Sequence, residues 1–176
     1  VLIYGSHLIK EPLFSILPEY TINLHAGLSP KYRGSATLFW PFMFLEPNFA
    51  GVTFHKILDK ADAGAIIHQC VPELEMSDKI HDVACKAIIK ASYDMQKIIN
   101  KFINNKKLEF YEQKFSGKLF LESDFKAEHL RVNYDLYKDR MVKEYLNGNL
   151  TSIKRNNNTY NHRGEMASWQ MRGVFV

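Results

Sequence analysis

An amide and an imidazole two residues apart, Asn23 and His25, close a short apolar run. In an extended chain, residues two apart project from one face. Open α/β sheets place their ligands beyond the carboxyl ends of their strands. The pair therefore sets a hydrogen-bond donor beside a group that exchanges protons near neutral pH. A second cluster follows downstream, where Gly51-Val52-Thr53-Phe54-His55 leads into Asp62-Ala63-Gly64. There a strand carries an imidazole into a turn that presents a carboxylate. Donor, proton acceptor and carboxylate are the materials of general acid–base chemistry.

The loop between the clusters, residues 26–35, joins a strand to an expected helix over residues 35–45. The free N–H groups of such a helix's first turn attract anions. Lys31 and Arg33 add cations, and Ser35 and Thr37 add hydroxyls. Taken singly, each residue has an ordinary reading: Asn23 as a strand end, Asp62 as a turn residue, Lys31 and Arg33 as solvated loop charges. Cys70 and Cys85 read as small buried hydrophobes, since no metal-ligand spacing surrounds them. No metal is expected.

The elements that must position these residues follow from pattern. Residues 1–4 and 20–24 read as buried strands. A short helix begins at Pro12 and stops at Pro18. Pro41 must sit in the first turn of the expected helix over 35–45 or kink it. Residues 51–58 and 65–74 read as strands, the second broken at Pro72 and so near an edge there. Ser77 is the expected cap of a long amphipathic helix that ends near residue 103. Residues 109–113 and 118–121 could form a hairpin around Ser116-Gly117. Short helices are expected over 127–137 and 138–146. The order implies an α/β fold with a mixed sheet. Residues 1–107 are expected as the main domain, 108–150 as a small hairpin-and-helix appendage, and 151–176 as a polar tail.

Composition narrows the class. The chain has 176 residues, 46% hydrophobic and 24% charged, which suits a globular domain with a real core. No apolar run approaches the roughly 20 residues of a membrane span. Two cysteines do not make a secreted disulfide framework, so the cytoplasm is the expected compartment. A net charge of +4 fits an anionic small substrate as well as a nucleic acid and decides little. The opening apolar run Val1-Leu2-Ile3-Tyr4 has no lead-in, which suggests a fragment whose first half is missing.

Together the clusters resemble a known family. Asn23-Leu24-His25-Ala26-Gly27-Leu28-Ser29-Pro30-Lys31-Tyr32-Arg33-Gly34 resembles the formyltransferase signature Asn-x-His-x-Ser-Leu-Leu-Pro-x-x-x-Gly. Gly51-Val52-Thr53-Phe54-His55 with Asp62-Ala63-Gly64 resembles that family's second signature, in the same order and spacing. Gly27 stands where the signature has serine, and Ser29 where it has leucine. The likeness covers residues 1–103. It implies the C-terminal part of a Rossmann-like formyltransferase domain with a mixed sheet, lacking its N-terminal half and carrying a small α+β appendage.

The resemblance implies transfer of a formyl group from 10-formyltetrahydrofolate to a primary amine, with no metal. Asn23, His25 and Asp62 take the catalytic roles. Ser6, His7, Leu8, His55, Ala61 and Gly64 fall to the folate, with His55 also a candidate to orient Asp62. Lys31, Tyr32, Arg33, Gly34 and Ser35 fall to the acceptor, with Tyr32 or Trp40 against sugar or base. Arg33-Gly34 with Lys60-Ala61-Asp62-Ala63-Gly64-Ala65-Ile66 looks closest to the sugar N-formyltransferases, so a nucleotide-linked amino sugar is the expected small-molecule partner. Methionyl-tRNA and glycinamide ribonucleotide are the alternative acceptors, and a non-catalytic folate-binding remnant is the alternative role. Neither a membrane nor a nucleic acid is an expected partner, and the resemblance leaves room for a homodimer.

Overall fold

Alternating apolar and polar positions in the central strands fold into a sheet that separates a core from a reactive face. The computed structural model describes residues 1–114 and 117–150. In chain order the elements are β1 (Leu2–Tyr4), α1 (Leu13–Ile16), β2 (Ile22–His25), β3 (Tyr32–Gly34), α2 (Trp40–Met43), β4 (Val52–Lys56), β5 (Ile66–Cys70), α3 (Ile80–Ile103), β6 (Lys118–Phe120), α4 (Ala127–Arg131) and α5 (Met141–Leu146). The main sheet runs β1-β2-β4-β5. β1 and β2 are parallel, and β4 is antiparallel to both β2 and β5. This is the expected mixed α/β sheet. Among the described residues, no helix is long and apolar enough to cross a membrane.

Ile22, Phe54 and Cys70 turn to one face and pack against Ala87, Ala91 and Ile98 of α3. Fully burying a side chain such as Phe54 stabilises by about 1.5–3 kcal/mol. Alternation sends Asn23, His25 and His55 to the other face, and register sets Asn23 opposite His55. A second core joins Leu28, Tyr32, Trp40, Phe42 and Phe49 to Phe120, Met141 and Val142. Residues from beyond 108 thus help to bury the loop that follows His25.

Several expectations are corrected. The strand at residues 1–4 is not buried: it lies at the sheet edge, with Leu2 and Tyr4 exposed. The helix expected over 35–45 is only α2, with Pro41 in its first turn. Ala36, at φ 54°, holds the preceding chain out of the helix. The long helix starts at Ile80 rather than after Ser77, because Asp82 accepts the Lys79 N–H (2.9 Å) and Asp139 accepts that of Ile80 (3.1 Å). The expected hairpin does not form. Tyr111 bridges to Ile66 beside β5, and β6 pairs in parallel with β3, which was expected as loop. The Tyr32 and Phe120 rings stack at 5.9 Å across that pair, a buried contact stronger than the local turn signal. Ser116 of that turn and the tail 151–176 lie outside the described residues. The helix expected over 127–137 is α4 followed by a wide π-type turn, Val132–Leu136. Lys138 and Asp139, both at positive φ, then separate it from α5.

Candidate active site

Asn23 and His25 reach the reactive face from β2, His55 from β4, and Asp62 from the turn between β4 and β5. Asp62 is the hub. Its Oδ1 lies 3.3 Å from Asn23 Nδ2 and 3.3 Å from His55 Nε2. Its Oδ2 lies 3.3 Å from His25 Nδ1 and accepts the Gly34 N–H at 2.8 Å. The carboxylate is 12% exposed and His25 6%. Asp62 adopts φ 48°, a left-handed conformation that aspartate tolerates better than most residues. Such strain costs on the order of 1–3 kcal/mol and persists where neighbours hold it.

Gln113 is the principal holder. Its Nε2 donates to the carbonyls of Asp62 (2.9 Å) and Gly64 (2.8 Å), pinning both ends of the turn. Nothing in the local sequence around residue 113 signals this. It depends on the Tyr111–Ile66 bridge, which lays residues near 111 beside β5. Gly64 is needed for close packing: a Cβ there would stand 1.8 Å from the Lys56 carbonyl oxygen.

Hydrogen-bond partners indicate which tautomer each neutral ring favours. His25 Nε2 lies 2.8 Å from the Tyr32 carbonyl oxygen, which only accepts, so Nε2 carries the proton. His55 Nδ1 lies 2.7 Å from the Lys56 carbonyl oxygen and is likewise the protonated nitrogen. His55 Nε2 can then accept from Asn23 Nδ2 at 3.2 Å, whereas a proton on Nε2 donates to Asp62 Oδ1 at 3.3 Å and stabilises that charge. The two amide hydrogens of Asn23 are thus aimed at His55 and Asp62. Burial lowers the pKa of His25 below its ordinary value, against the upward pull of the Asp62 charge. For Asp62, burial disfavours the charge, but the contact with His55, the His25 side chain and the Gly34 N–H outweigh it, and the pKa falls. A neutral imidazole therefore faces an ionised carboxylate.

Two cavities meet at this centre and share Gly5, Ser6, Asn23, Gly34 and Asp62. One, of about 680 Å³, is walled by Ser6, His7, Leu8, Ser35, His55 and Ala61. The other, of about 530 Å³, extends past His25 and Thr37 toward His81 and Tyr134. Tyr134 hydroxyl and His81 Nε2 lie 2.8 Å apart on its far wall. Both volumes fall in the range of small-molecule sites. Gly64 does not line the larger cavity but packs behind His55.

The residues expected at the acceptor separate. Gly34 lies at the centre. Lys31 is paired with Glu46 and sits 3.9 Å over the Phe49 ring, away from both cavities. Tyr32 is 2% exposed, and its hydroxyl donates to Glu46 at 2.8 Å. Trp40 is core as well, donating to the Ser35 carbonyl (2.9 Å) and stacking on Phe120 at 4.6 Å. No helix begins at Ser35, whose N–H is taken by the Phe120 carbonyl at 2.8 Å, so the expected anion site is not built there. Arg33 is half-buried, and its Nε has no hydrogen-bond partner among the described residues. Cys70 is buried as expected, whereas Cys85 is exposed.

The family model described as Formyl transferase matches residues 1–98. Among solved structures, a 4-N formyltransferase from Francisella tularensis is 28% identical with a TM-score of 0.53, over 60% of this chain and 42% of that one. An N-formyltransferase from Helicobacter canadensis, solved with folinic acid and dTDP-3-aminofucose, is 29% identical with a TM-score of 0.54, over 61% of this chain and 40% of that one. A formyltransferase from Anoxybacillus kamchatkensis, at 23% identity, shares the fold with a TM-score of 0.62 over 81% of this chain and 74% of its own. The chain spans less than half the length of the first two of these structures.

Proposed function

Since the chain belongs to the formyl transferase family, we propose that it moves a formyl group from 10-formyltetrahydrofolate to a primary amine on a nucleotide-linked amino sugar. The observation that carries this reading is the convergence of Asn23, His25 and Asp62 where two small-molecule cavities meet. One cavity takes the donor and the other the acceptor, so the reacting atoms meet at the shared wall. The donor supplies the activated formyl carbon. The larger cavity, with Ser6, His7, Leu8, His55 and Ala61, suits its pterin end. The acceptor enters past His81 and Tyr134.

The amine must lose a proton as its nitrogen bonds to the formyl carbon. His25 Nδ1 and Asp62 Oδ2 both present lone pairs to one point, and an amine N–H, or an ammonium group, can donate to both. Asp62 and His25 together receive that proton, and it passes to the folate nitrogen as the old carbon–nitrogen bond breaks. Asn23 stabilises the negative oxygen that develops on the formyl carbon by surrendering one of its present contacts. A fully preorganised donor lowers a barrier by about 2.7–4 kcal/mol, and the contact that Asn23 gives up reduces its share of that gain.

The Helicobacter canadensis structure supports a sugar-nucleotide acceptor, since it was solved with dTDP-3-aminofucose and shares 29% identity. The test is a formyl-transfer assay with 10-formyltetrahydrofolate and a panel of nucleotide amino sugars, beside glycinamide ribonucleotide and methionyl-tRNA. Turnover of one or more sugars, with none of the other two, is expected. Turnover confined to glycinamide ribonucleotide or to tRNA would reassign the acceptor. Folate binding without turnover of any amine would leave a non-catalytic domain.

A further inference from the structure

Strand alternation brings a second chemical cluster to the face of the sheet opposite Asp62. His68 and Cys70 are two apart on β5 and so share a face. Asp94 of α3 packs against them. One nitrogen, one sulfur and one oxygen from these side chains all lie within 4.8 Å of one another. His68 Nε2 is 3.1 Å from Asp94 Oδ2, and Asp94 Oδ1 is held separately by Lys97 Nζ at 2.7 Å. Cys70 and Asp94 are buried, while His68 is partly exposed. All three line an open cavity of about 760 Å³, which provides an entry path and space for water.

We propose that His68, Cys70 and Asp94 form a site for Zn²⁺, with the fourth position open to water. Thiolate, imidazole and carboxylate are the ligand types that zinc accepts together, at about 2.0–2.3 Å each. A tetrahedral ion with such bonds sets its ligand atoms roughly 3.3–3.8 Å apart. The three atoms, now within 4.8 Å of one another, draw together to reach that spacing, and Asp94 Oδ1 keeps Lys97 as an outer partner that orients the carboxylate. The ordinary alternative is a closed hydrogen-bonded network. It explains His68, Asp94 and Lys97, with Cys70 a core side chain packed beside them; the zinc site rests on the three ligand atoms converging at the wall of an open cavity. Burial, with the Asp94 charge beside it, pushes the Cys70 thiol up to about 12. Coordination therefore releases the thiol proton to solvent as the sulfur–zinc bond forms.

The experiment uses the full chain, stripped with chelator and titrated with Zn²⁺ and with Co²⁺ as a spectroscopic probe. One equivalent of Zn²⁺ is expected to bind, and Co²⁺ to give tetrahedral d–d bands with a thiolate-to-cobalt charge-transfer band. Cys70→Ser is expected to abolish that band, and His68→Ala to weaken Zn²⁺ binding by roughly tenfold or more. Cys85→Ser should change neither. His68 lies partly outside the core, so its variant decides the matter even if Cys70→Ser fails to fold. A cobalt spectrum without the thiolate band, or Zn²⁺ binding indifferent to His68→Ala, would overturn the site. Because the cluster lies on the far face of the sheet, neither result bears on formyl transfer.

Discussion

His25 Nδ1 and Asp62 Oδ2 face each other at 3.3 Å, and while the ring is neutral no proton lies between them. The Tyr32 carbonyl takes the only hydrogen of a neutral His25, and the Asp62 charge is stabilised. Two acceptors held this close, in a largely buried site, mark the place where a substrate N–H would be most welcome. Asp62→Asn tests this directly. The asparagine amide can donate to Nδ1 and satisfy the pair, while the site loses its carboxylate. Turnover is expected to fall by about a hundredfold or more while the chain still folds. An active Asp62→Asn enzyme would remove the proton-transfer role.

The same pair sets the acid side of the pH profile. Burial lowers the His25 pKa below 6.5, so kcat/KM should hold down through pH 6.5 and fall only below it. Stability should follow the same window. Below 6.5 the unfolded chain binds a proton at His25 that the folded chain resists, so stability present above 6.5 is lost as pH falls through the folded value. Asp62, whose pKa is lowered from 3.8, keeps its contribution to still lower pH. Urea midpoints measured from about pH 7.5 to about pH 4.5 should decline, and His25→Gln should flatten that decline below 6.5. An unaltered slope in the variant would place the titration elsewhere.

Gln113 acts through Asp62 rather than on substrate. Removing its two hydrogen bonds to the turn leaves two carbonyls unpaired, at a cost of about 1–3 kcal/mol. Gln113→Ala should lower kcat by about tenfold or more while KM for both substrates changes little, because a 1 Å misplacement of a reacting group alone costs up to about a hundredfold. Gln113→Glu keeps the length but replaces the donor with an acceptor, and should not rescue. If KM rises and kcat holds, the residue shapes a pocket instead of a turn.

Much of this was legible in the sequence. The Asn23-x-His25 spacing, the strand through His55 and the Asp62 turn sit where alternation and motif order put them. The places of Lys31 and Tyr32 were less legible, because both look like loop residues until Glu46 and Phe120 are folded against them. Partners so far apart in sequence leave no local pattern. The β3–β6 pairing and Gln113 are hidden for the same reason. His68 and Cys70 lie two apart on β5, but Asp94 comes from α3, so no ligand spacing around Cys70 announces the cluster.

In the proposed arrangement His81 and Tyr134 lie on the acceptor side. Both line the smaller cavity and neither lines the larger one. Tyr134→Phe and His81→Ala should therefore raise KM for the acceptor severalfold and leave KM for 10-formyltetrahydrofolate alone. Loss of a single neutral hydrogen bond, about 0.5–1.5 kcal/mol, corresponds to roughly two- to tenfold. Steady-state kinetics with each substrate varied in turn decide it, and a rise in the folate KM instead would exchange the roles of the two cavities.

Gly27 and Gly34 are the positions where backbone, not side chain, holds the centre together. Gly34 has φ +90° and donates its N–H to Asp62 Oδ2. A Cβ there would stand 2.1 Å from the Phe120 carbonyl oxygen, which is backbone and fixed by the β3–β6 pair. Gly34→Ala must push β3 away and take the N–H with it, so activity should fall with stability. At Gly27, where the family signature has serine, a Cβ would lie 2.5 Å from His25 Nε2 and 2.6 Å from Thr37 Cβ. Thr37 fills the space that a serine side chain would need. Gly27→Ser alone should displace His25 and cost activity, whereas Gly27→Ser with Thr37→Gly should recover part of it. Equal activity in the single and double variants would mean that Thr37 and residue 27 do not compete for that space.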